Sequence, residues 1–458
     1  MSFSEFDLKP ELLKNLTDLG FAEATPVQSE SLPSVLDGKD VIAKAKTGSG
    51  KTVAFGLGIL QKLNVKQFHI QTLVLCPTRE LADQVAKELR KLARQIHNIK
   101  ILTLCGGSPM GPQIGSLEHG AHIIVGTPGR VDDHRKKGRL KLDRVSMLVL
   151  DEADRMLDMG FRDTLEHIID DIPSSRQTLL FSATFPNQID DLSKGVMQAP
   201  VLIEVADTHS NTSIKQSFYK TEAEERFTAL LKVLHLKRAE SCIIFCHTKK
   251  DVQDIADKLG ENEVSAIPLH GDMDQRDRDR SLVRFANKSA SVLVATDVAA
   301  RGLDIEAVAL VVNYQIAKDL DVHTHRVGRT GRKGNFGEAI SLFTKAEYFK
   351  LEKLNADQGI ELDECTLPDD SVLANALAAP AMHTIQIEGG KKHKIRPGDL
   401  LGALTSDGTL TSDEVGKINI FPLSTFVAVK RSVAKKALSR LQTGKVKGRQ
   451  LKARLIRR

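Results

Sequence analysis

Met147-Leu148-Val149-Leu150-Asp151-Glu152-Ala153-Asp154 is the stretch from which the rest of the chain is read. Four apolar residues are too few for a helix core and they end abruptly in acid. The run therefore reads as a buried parallel strand whose carboxylates emerge at its C-terminal edge. In open α/β sheets that edge is where ligands bind. One carboxylate there can hold Mg²⁺ through its water shell, while its neighbour can take a proton from an attacking water. Taken alone, the stretch reads equally well as an acidic helix start after a strand.

At 458 residues the chain has room for about three domains of roughly 150 residues each. With 27% charged and 41% apolar residues the balance is that of an ordinary globular protein. No apolar run approaches the ~20 residues that span a bilayer, and Met1-Ser2-Phe3-Ser4-Glu5-Phe6 has no basic stretch leading into an apolar core, so a cytoplasmic location is expected. The five cysteines form no Cys-x-x-Cys pair. Cys242 and Cys246, beside His247, are read as core strand residues rather than metal ligands. Charge is uneven: residues 381–458 hold 17 Lys/Arg against 5 Asp/Glu, a surplus of 12, which leaves −6 on residues 1–380 of a chain whose total is +6. The tail is thus a candidate polyanion anchor, and the remainder must bind any polyanion through a local track.

Strands are expected at 41–43, 72–76, 101–105, 123–125, 147–150 and 178–182, each followed by an amphipathic helix, which argues for a parallel sheet covered on both faces. Residues 200–214, polar around Asn211-Thr212-Ser213, read as a linker. A second alternating series follows at 242–246, 265–269, 292–295, 310–313 and 339–343. Residues 366–381 read as another linker, after which strands at 383–387, 417–421, 425–430 and 448–456 and two helices suggest a βαββαβ unit. The expected divisions are 1–207, 208–366, a linker 367–381, and 382–458.

Val41-Ile42-Ala43-Lys44 leads into Ala45-Lys46-Thr47-Gly48-Ser49-Gly50-Lys51-Thr52: a strand, a glycine-bearing loop, then a helix start. Glycines let backbone amides approach phosphate, the helix N-terminus favours an anion, Lys51 can reach β and γ phosphates and Thr52 can ligate Mg²⁺. The general phosphate-loop pattern begins with Gly, where this chain has Ala45. Together with Asp-Glu-Ala-Asp, the loop resembles that of the DEAD-box ATP-dependent RNA helicases, which commonly begins with Ala.

That resemblance covers roughly residues 1–360 and implies two tandem RecA-like parallel-sheet lobes, ATP and Mg²⁺ as cofactors, and RNA as partner, with a monomer as the default. Gly20-Phe21-Ala22-Glu23-Ala24-Thr25-Pro26-Val27-Gln28 is similar to the family's Q motif, in which Gln28 would read adenine and Phe21 or Phe3 would stack on it. Pro77, Thr78 and Arg79, Gly107, and Thr127, Gly129 and Arg130 match RNA-facing motifs. Read singly, each is as well a turn or a helix cap. Ser182 and Thr184, with Asp154, match the motif that ties the nucleotide site to closure, and their hydroxyls are expected on the acids. In the second lobe Thr248, Gly271, Gln275, Arg278, Thr296 and Arg301 would extend the RNA track, while Gly302 and Asp304 would approach the nucleotide. In His325-Arg326-Val327-Gly328-Arg329-Thr330-Gly331-Arg332, which without context is a basic turn, Arg329 and Arg332 match the arginine fingers and His325 the link to the hydroxyl motif. Asp151 would hold Mg²⁺ and Glu152 would position and deprotonate water.

The C-terminal unit resembles an RNA-recognition motif, whose central strands usually carry base-stacking aromatics. Here those strands offer Ile385, Ile387, Phe426 and Val429, so only Phe426 can stack. Lys391, Lys392, Lys394 and Arg396, with Lys430 and Arg431, suggest loops that grip folded RNA by phosphate and shape. A DEAD-box core followed by a short basic domain is most similar to the DbpA-type helicases, which implies a 23S ribosomal RNA hairpin as target and assembly of the large (50S) ribosomal subunit as setting. The alternatives are an RNA clamp or chaperone with a nonspecific basic tail, and a DNA-translocating helicase.

Overall fold

The computed structural model describes residues 1–45, 48–184, 187–205, 214–300, 307–331, 336–358 and 363–456. The first lobe is built on β1 (Val41–Lys44), β2 (Thr72–Leu75), β3 (Ile101–Leu104), β4 (Ile123–Gly126), β5 (Met147–Asp151), β6 (Gln177–Ser182) and β7 (Val201–Glu204), in the order β3-β4-β2-β5-β6-β1-β7. All pairs are parallel. Side chains alternate between faces along a strand. Met147 and Val149 of β5 join one core with Val74, Leu179 and Phe181, whereas Leu148 and Leu150 join the other with Leu73, Leu75 and Leu180. Helices cover both faces, which is why β5 is apolar at every position until its acid.

The segment 200–214 is not simply a linker. Val201–Glu204 is β7, paired with β1 in register Val41↔Val201. Of its four residues only Ile203 is buried, so an edge position explains why periodicity did not reveal it.

The second lobe contains β8 (Ile214–Lys220), β9 (Cys242–Cys246), β10 (Ala266–Leu269), β11 (Val292–Thr296), β12 (Leu310–Asn313), β13 (Gly337–Phe343) and β14 (Glu364–Cys365), in the order β10-β11-β9-β12-β13-β8-β14. Counted from its own first strand, this is the strand order of the first lobe. β8 and β14 lay outside the sequence expectation, being polar at most positions. The expected linker 367–381 is instead strapped to the lobe: Lys232 pairs with Asp370 at 2.7 Å, His235 Nδ1 lies 2.7 Å from the Asn375 carbonyl, and Leu373 and Leu377 pack on the core.

The third sheet, β15 (Met382–Ile387), β16 (Val415–Ile420), β17 (Thr425–Lys430) and β18 (Ala453–Leu455), is antiparallel in the order β16-β17-β15-β18. Its connections run βαββαβ through helices Pro397–Thr405 and Ala434–Thr443. Ile385, Ile387, Val427 and Val429 share a core with Leu400, Leu404, Ala437 and Leu441 on the helices. Thr384 lies on the opposite face and is 1% exposed, because it meets the second lobe: Asn287 Nδ2 donates to its hydroxyl at 2.8 Å and Ser289 Oγ lies 2.6 Å from it. Among the described residues no helix is long and apolar enough to cross a membrane.

Thr384→Val keeps shape but strips two polar side chains of their buried partner. It should lower stability by about 1–3 kcal/mol. Urea unfolding of the full chain checks this; an unchanged midpoint would show that the contact contributes nothing.

Candidate nucleotide site and RNA track

The phosphate loop turns on two left-handed glycines, Gly48 (φ 89°) and Gly50 (φ 97°), the second capping helix Lys51–Lys62. A side chain at Gly50 would strike the Gln28 amide. Lys51 is buried and its Nζ donates to the Ala45 carbonyl at 2.9 Å. Ala45 N donates in turn to the Ser182 carbonyl at 2.9 Å, fixing the start of the loop against β6. Lys46 and Thr47 lie outside the described residues. Thr52 is half-buried in the first turn of the helix.

Gln28 is buried and already bonded on both sides: its Oε1 accepts from Thr25 N at 2.9 Å and its Nε2 donates to the Gly50 carbonyl at 3.1 Å. A carboxamide has two N–H groups and two lone pairs, so one of each remains for a base. Thr25 adds a second tie, from its hydroxyl to the Ser49 carbonyl at 2.8 Å. The expectation for Phe3 does not hold. It is 3% exposed, packed against Phe6 and edge-on to Phe21 at 6.3 Å, so it has no ring face for a base. Phe21 is half-buried, with the Lys91 ammonium 5.6 Å from its ring centre.

Asp151 closes β5 and is 2% exposed. Burial pushes its carboxyl up to about 7; Lys51 pulls against this and Glu152 adds to it. Its Oδ1 is buried without a partner among the described residues. A buried carboxylate oxygen lacking a donor, together with the hydroxyl of Thr52, suits a hard cation such as Mg²⁺. Glu152 sits at φ 53°, a left-handed backbone that a non-glycine residue adopts at some cost. Its carboxylate pairs with Arg155 Nη1 at 3.0 Å, both side chains being buried. Arg155 was not singled out from sequence, although a cation three residues after Glu152 on a following helix is a readable signal. Asp154 Oδ2 accepts from Thr184 N at 3.1 Å and Thr184 Oγ1 at 2.8 Å. Of the two expected hydroxyls only that of Thr184 reaches an acid. Ser182 Oγ donates to the Thr184 carbonyl at 2.7 Å and braces it.

The loops after β3, β4 and β2 are neighbours in the sheet. Gly107 (φ 71°) lies in the first. Thr127 accepts from Gly106 N at 3.4 Å, and Arg130 Nη1 donates to the Ser108 carbonyl at 2.9 Å, binding two of the loops together. Gly129 and Arg130 lie in the first turn of helix Pro128–Lys136. Pro77 precedes Thr78, whose hydroxyl caps helix Arg79–Leu92, and Arg79 is paired with Asp83 at 3.8 Å. The second lobe repeats the arrangement on β10, β11 and β9. Gly271 follows β10, Thr296 ends β11, and Thr248, after β9, caps helix Lys249–Glu261. Gln275 and Arg278 lie on helix Gln275–Ala286, where the Gln275 amide donates to Asp279 at 2.8 Å. Arg301, Gly302 and Asp304 lie outside the described residues.

Helix Leu320–Val327 positions the basic motif. Arg326, given no role from sequence, is fully buried: it forks onto Asp297 at 2.6 and 2.9 Å, donates to the Asn313 side chain at 3.2 Å and the Gln315 carbonyl at 2.8 Å, and lies over the Phe245 ring. It therefore locks the motif to the end of β11. His325 is half-buried and Arg329 buried, its carbonyl accepting from Val308 N at 3.1 Å. Arg332 lies outside the described residues.

In the C-terminal unit the sheet face does not offer a stacking platform. Ile385, Ile387 and Val429 point into the helix-covered core, and Phe426 is 4% exposed, closed edge-on by Phe421 at 5.5 Å. Lys391, Lys392, Lys394 and Arg396 are exposed on a tight turn, with Lys394 at φ 58°. Lys430 is also exposed but paired with Asp413 at 2.7 Å, which makes it a weaker anion ligand than its neighbour Arg431.

The DEAD/DEAH box helicase family matches residues 25–192, the helicase conserved C-terminal domain residues 225–334, and the DbpA RNA binding domain residues 384–455. The ATP-dependent RNA helicase DbpA of Escherichia coli is 53% identical over 450 residues, 98% of each chain, and that of Bacillus subtilis 37% over 471 residues, again 98% of each. Among solved structures, S. cerevisiae Dbp5 bound to RNA and ADP BeF3 superposes with a TM-score of 0.73 at 32% identity, over 81% of this chain and 98% of that one. The DEAD-box helicase Mss116 bound to ssRNA and UDP-BeF gives 0.72 at 28% identity, over 81% and 80%. With relatives matched over nearly their whole length and all three of its sheet domains covered, the chain belongs to the DEAD-box ATP-dependent RNA helicases, RNA-stimulated ATPases, in the group that carries a DbpA RNA-binding domain.

Proposed function

We propose that this helicase unwinds short duplexes close to a hairpin of 23S ribosomal RNA during assembly of the large ribosomal subunit, in the cytoplasm. The observation that carries the reading is the exposed basic turn 391–396 on a domain of the DbpA RNA-binding family, set on a sheet whose stacking face is closed. Such a surface favours phosphate and shape over single-strand stacking. Docking there raises the concentration of neighbouring RNA at the helicase lobes. The divisions we propose are 1–207 and 208–366 for the lobes and 382–458 for the RNA-binding domain.

In the proposed cycle Gln28 and Phe21 receive adenine, Gly48, Ser49, Gly50 and Lys51 hold the phosphates, and Thr52 and Asp151 would hold Mg²⁺. The ion would neutralise charge on the β and γ phosphate oxygens. Glu152, oriented by Arg155, takes the proton of the attacking water. Arg329 and Arg332 stabilise the charge that develops on the transferred phosphoryl, and do so when RNA is bound. Thr184 on Asp154 reports the state of the nucleotide to the RNA loops.

Glu152→Gln keeps the shape of the side chain and removes the base. It should retain ATP and RNA binding but lose about 10²–10⁴-fold in RNA-stimulated hydrolysis. Turnover near the wild-type rate would remove Glu152 from the chemistry.

Replacing Lys391, Lys392, Lys394 and Arg396 together by Gln touches exposed side chains only. Stimulation by a 23S fragment should then fall to the level given by an unrelated stem-loop. Equal stimulation by the two RNAs in the unmodified protein would sink the ribosomal assignment.

A further inference from the structure

We propose that the joint between the second lobe and the C-terminal domain is an anion site that takes a phosphate of bound RNA. A cavity of about 490 Å³ opens there, lined by Arg284 of helix Gln275–Ala286, His383 of β15 and Arg431, which follows β17. Among the described residues none of these three side chains has a hydrogen-bond or ion-pair partner in the protein. Arg284 and His383 are half-buried. One carboxylate, Glu263, lines the same cavity. The imidazole senses both guanidinium groups. His383 is held below the usual imidazole range by burial and then by Arg431 and Arg284, and Arg284 is lowered by burial and by Arg280.

Guanidinium groups that line one cavity and have no acceptor among the described residues are satisfied by an anion that accepts their hydrogen bonds, and the imidazole beside them can add one more. Phosphate has the charge and the acceptors. RNA is favoured as its source because both walls belong to RNA-binding modules. Arg284 stands on the helix that begins with Gln275 and Arg278 of the proposed RNA track, nine residues and about 14 Å further along, and the facing wall is the DbpA-type domain. A strand leaving the track along this helix meets Arg284, and one held by the C-terminal domain meets Arg431. The loop beside the cavity is the one that bonds Thr384 through Asn287 and Ser289, so an occupied site would join the two modules at a place where they already touch.

The inference rests on the proposed RNA track, and the experiment separates the two. Full-length Arg431→Gln, Arg284→Gln and the double variant are titrated over a salt series with two RNAs, the 23S fragment and an unrelated stem-loop. Each substitution should weaken binding of both RNAs about tenfold and flatten the dependence of log K on log salt by about 1. Arg431 is exposed, so its variant should fold as the parent does, which a thermal melt checks. Unchanged affinity and slope in Arg431→Gln and the double variant would overturn the site. A flattened slope on both RNAs with no preference for the 23S fragment would uphold the site and remove the ribosomal reading. In a parallel arm, the His383 imidazole resonance is followed in RNA-free protein as inorganic phosphate is added, then on adding RNA. Displacement of phosphate by RNA supports the assignment; a phosphate-induced shift that RNA leaves untouched makes this a free-anion site and overturns it.

Discussion

Two carboxylates almost free of solvent at the end of one strand set the terms for the rest of this protein. Removing an ion from water costs several kcal/mol even after relaxation, unless a partner or a proton compensates. Asp151 shows the unbalanced case, its carboxyl pushed up to about 7 with one oxygen lacking a donor among the described residues. Glu152 shows the balanced case, with Arg155 at 3.0 Å. Asp154 is satisfied by Thr184 and the backbone. Of three neighbouring acids, two are therefore held by the fold and one is left for a ligand. In the proposed cycle a nucleotide arriving with its cation would supply what Asp151 lacks, which ties nucleotide binding to the electrostatics of β5.

The second constraint is repetition. Both lobes use the same strand order, and in both the residues read as RNA-facing follow the same three neighbouring strands. A parallel sheet presents the ends of its strands along one edge, so three adjacent loops form a row of amides, hydroxyls and guanidinium groups without further design. Such a row reads phosphate and sugar but not sequence. In the proposed function selectivity comes from elsewhere, and it is assigned to the antiparallel domain with its exposed basic turn.

Much of this was legible in the sequence, for physical reasons. β9 and the first four positions of β5 are apolar because helices cover both faces, and the strand, loop and helix start read around Lys51, like the strand end read at Asp151, are where the spacing put them. What escaped was governed by contacts distant in sequence. β7 and β8 are edge or near-edge strands with few buried residues. The segment 366–381 looks like a linker by composition, yet Asp370 and Leu373 pin it to the second lobe. An aromatic ring at Phe3 suggests a stacking face for a base, and only packing shows it buried edge-on against Phe21; at Phe426, the single aromatic on the central strands, packing against Phe421 agrees with the expectation that loops rather than the sheet face grip RNA. Arg155 and Arg326 were passed over because each acts on an acid rather than on a ligand.

In the proposed cycle the acids of the first lobe and the arginines of the second act on one nucleotide, and RNA is what brings them to it. The direct test is linkage, measured with a non-hydrolysable ATP analogue and a short single-stranded RNA. RNA should tighten the analogue, the analogue should tighten RNA by the same factor, and both effects should shrink in Arg329→Gln. Analogue affinity that is the same with and without saturating RNA would contradict the account.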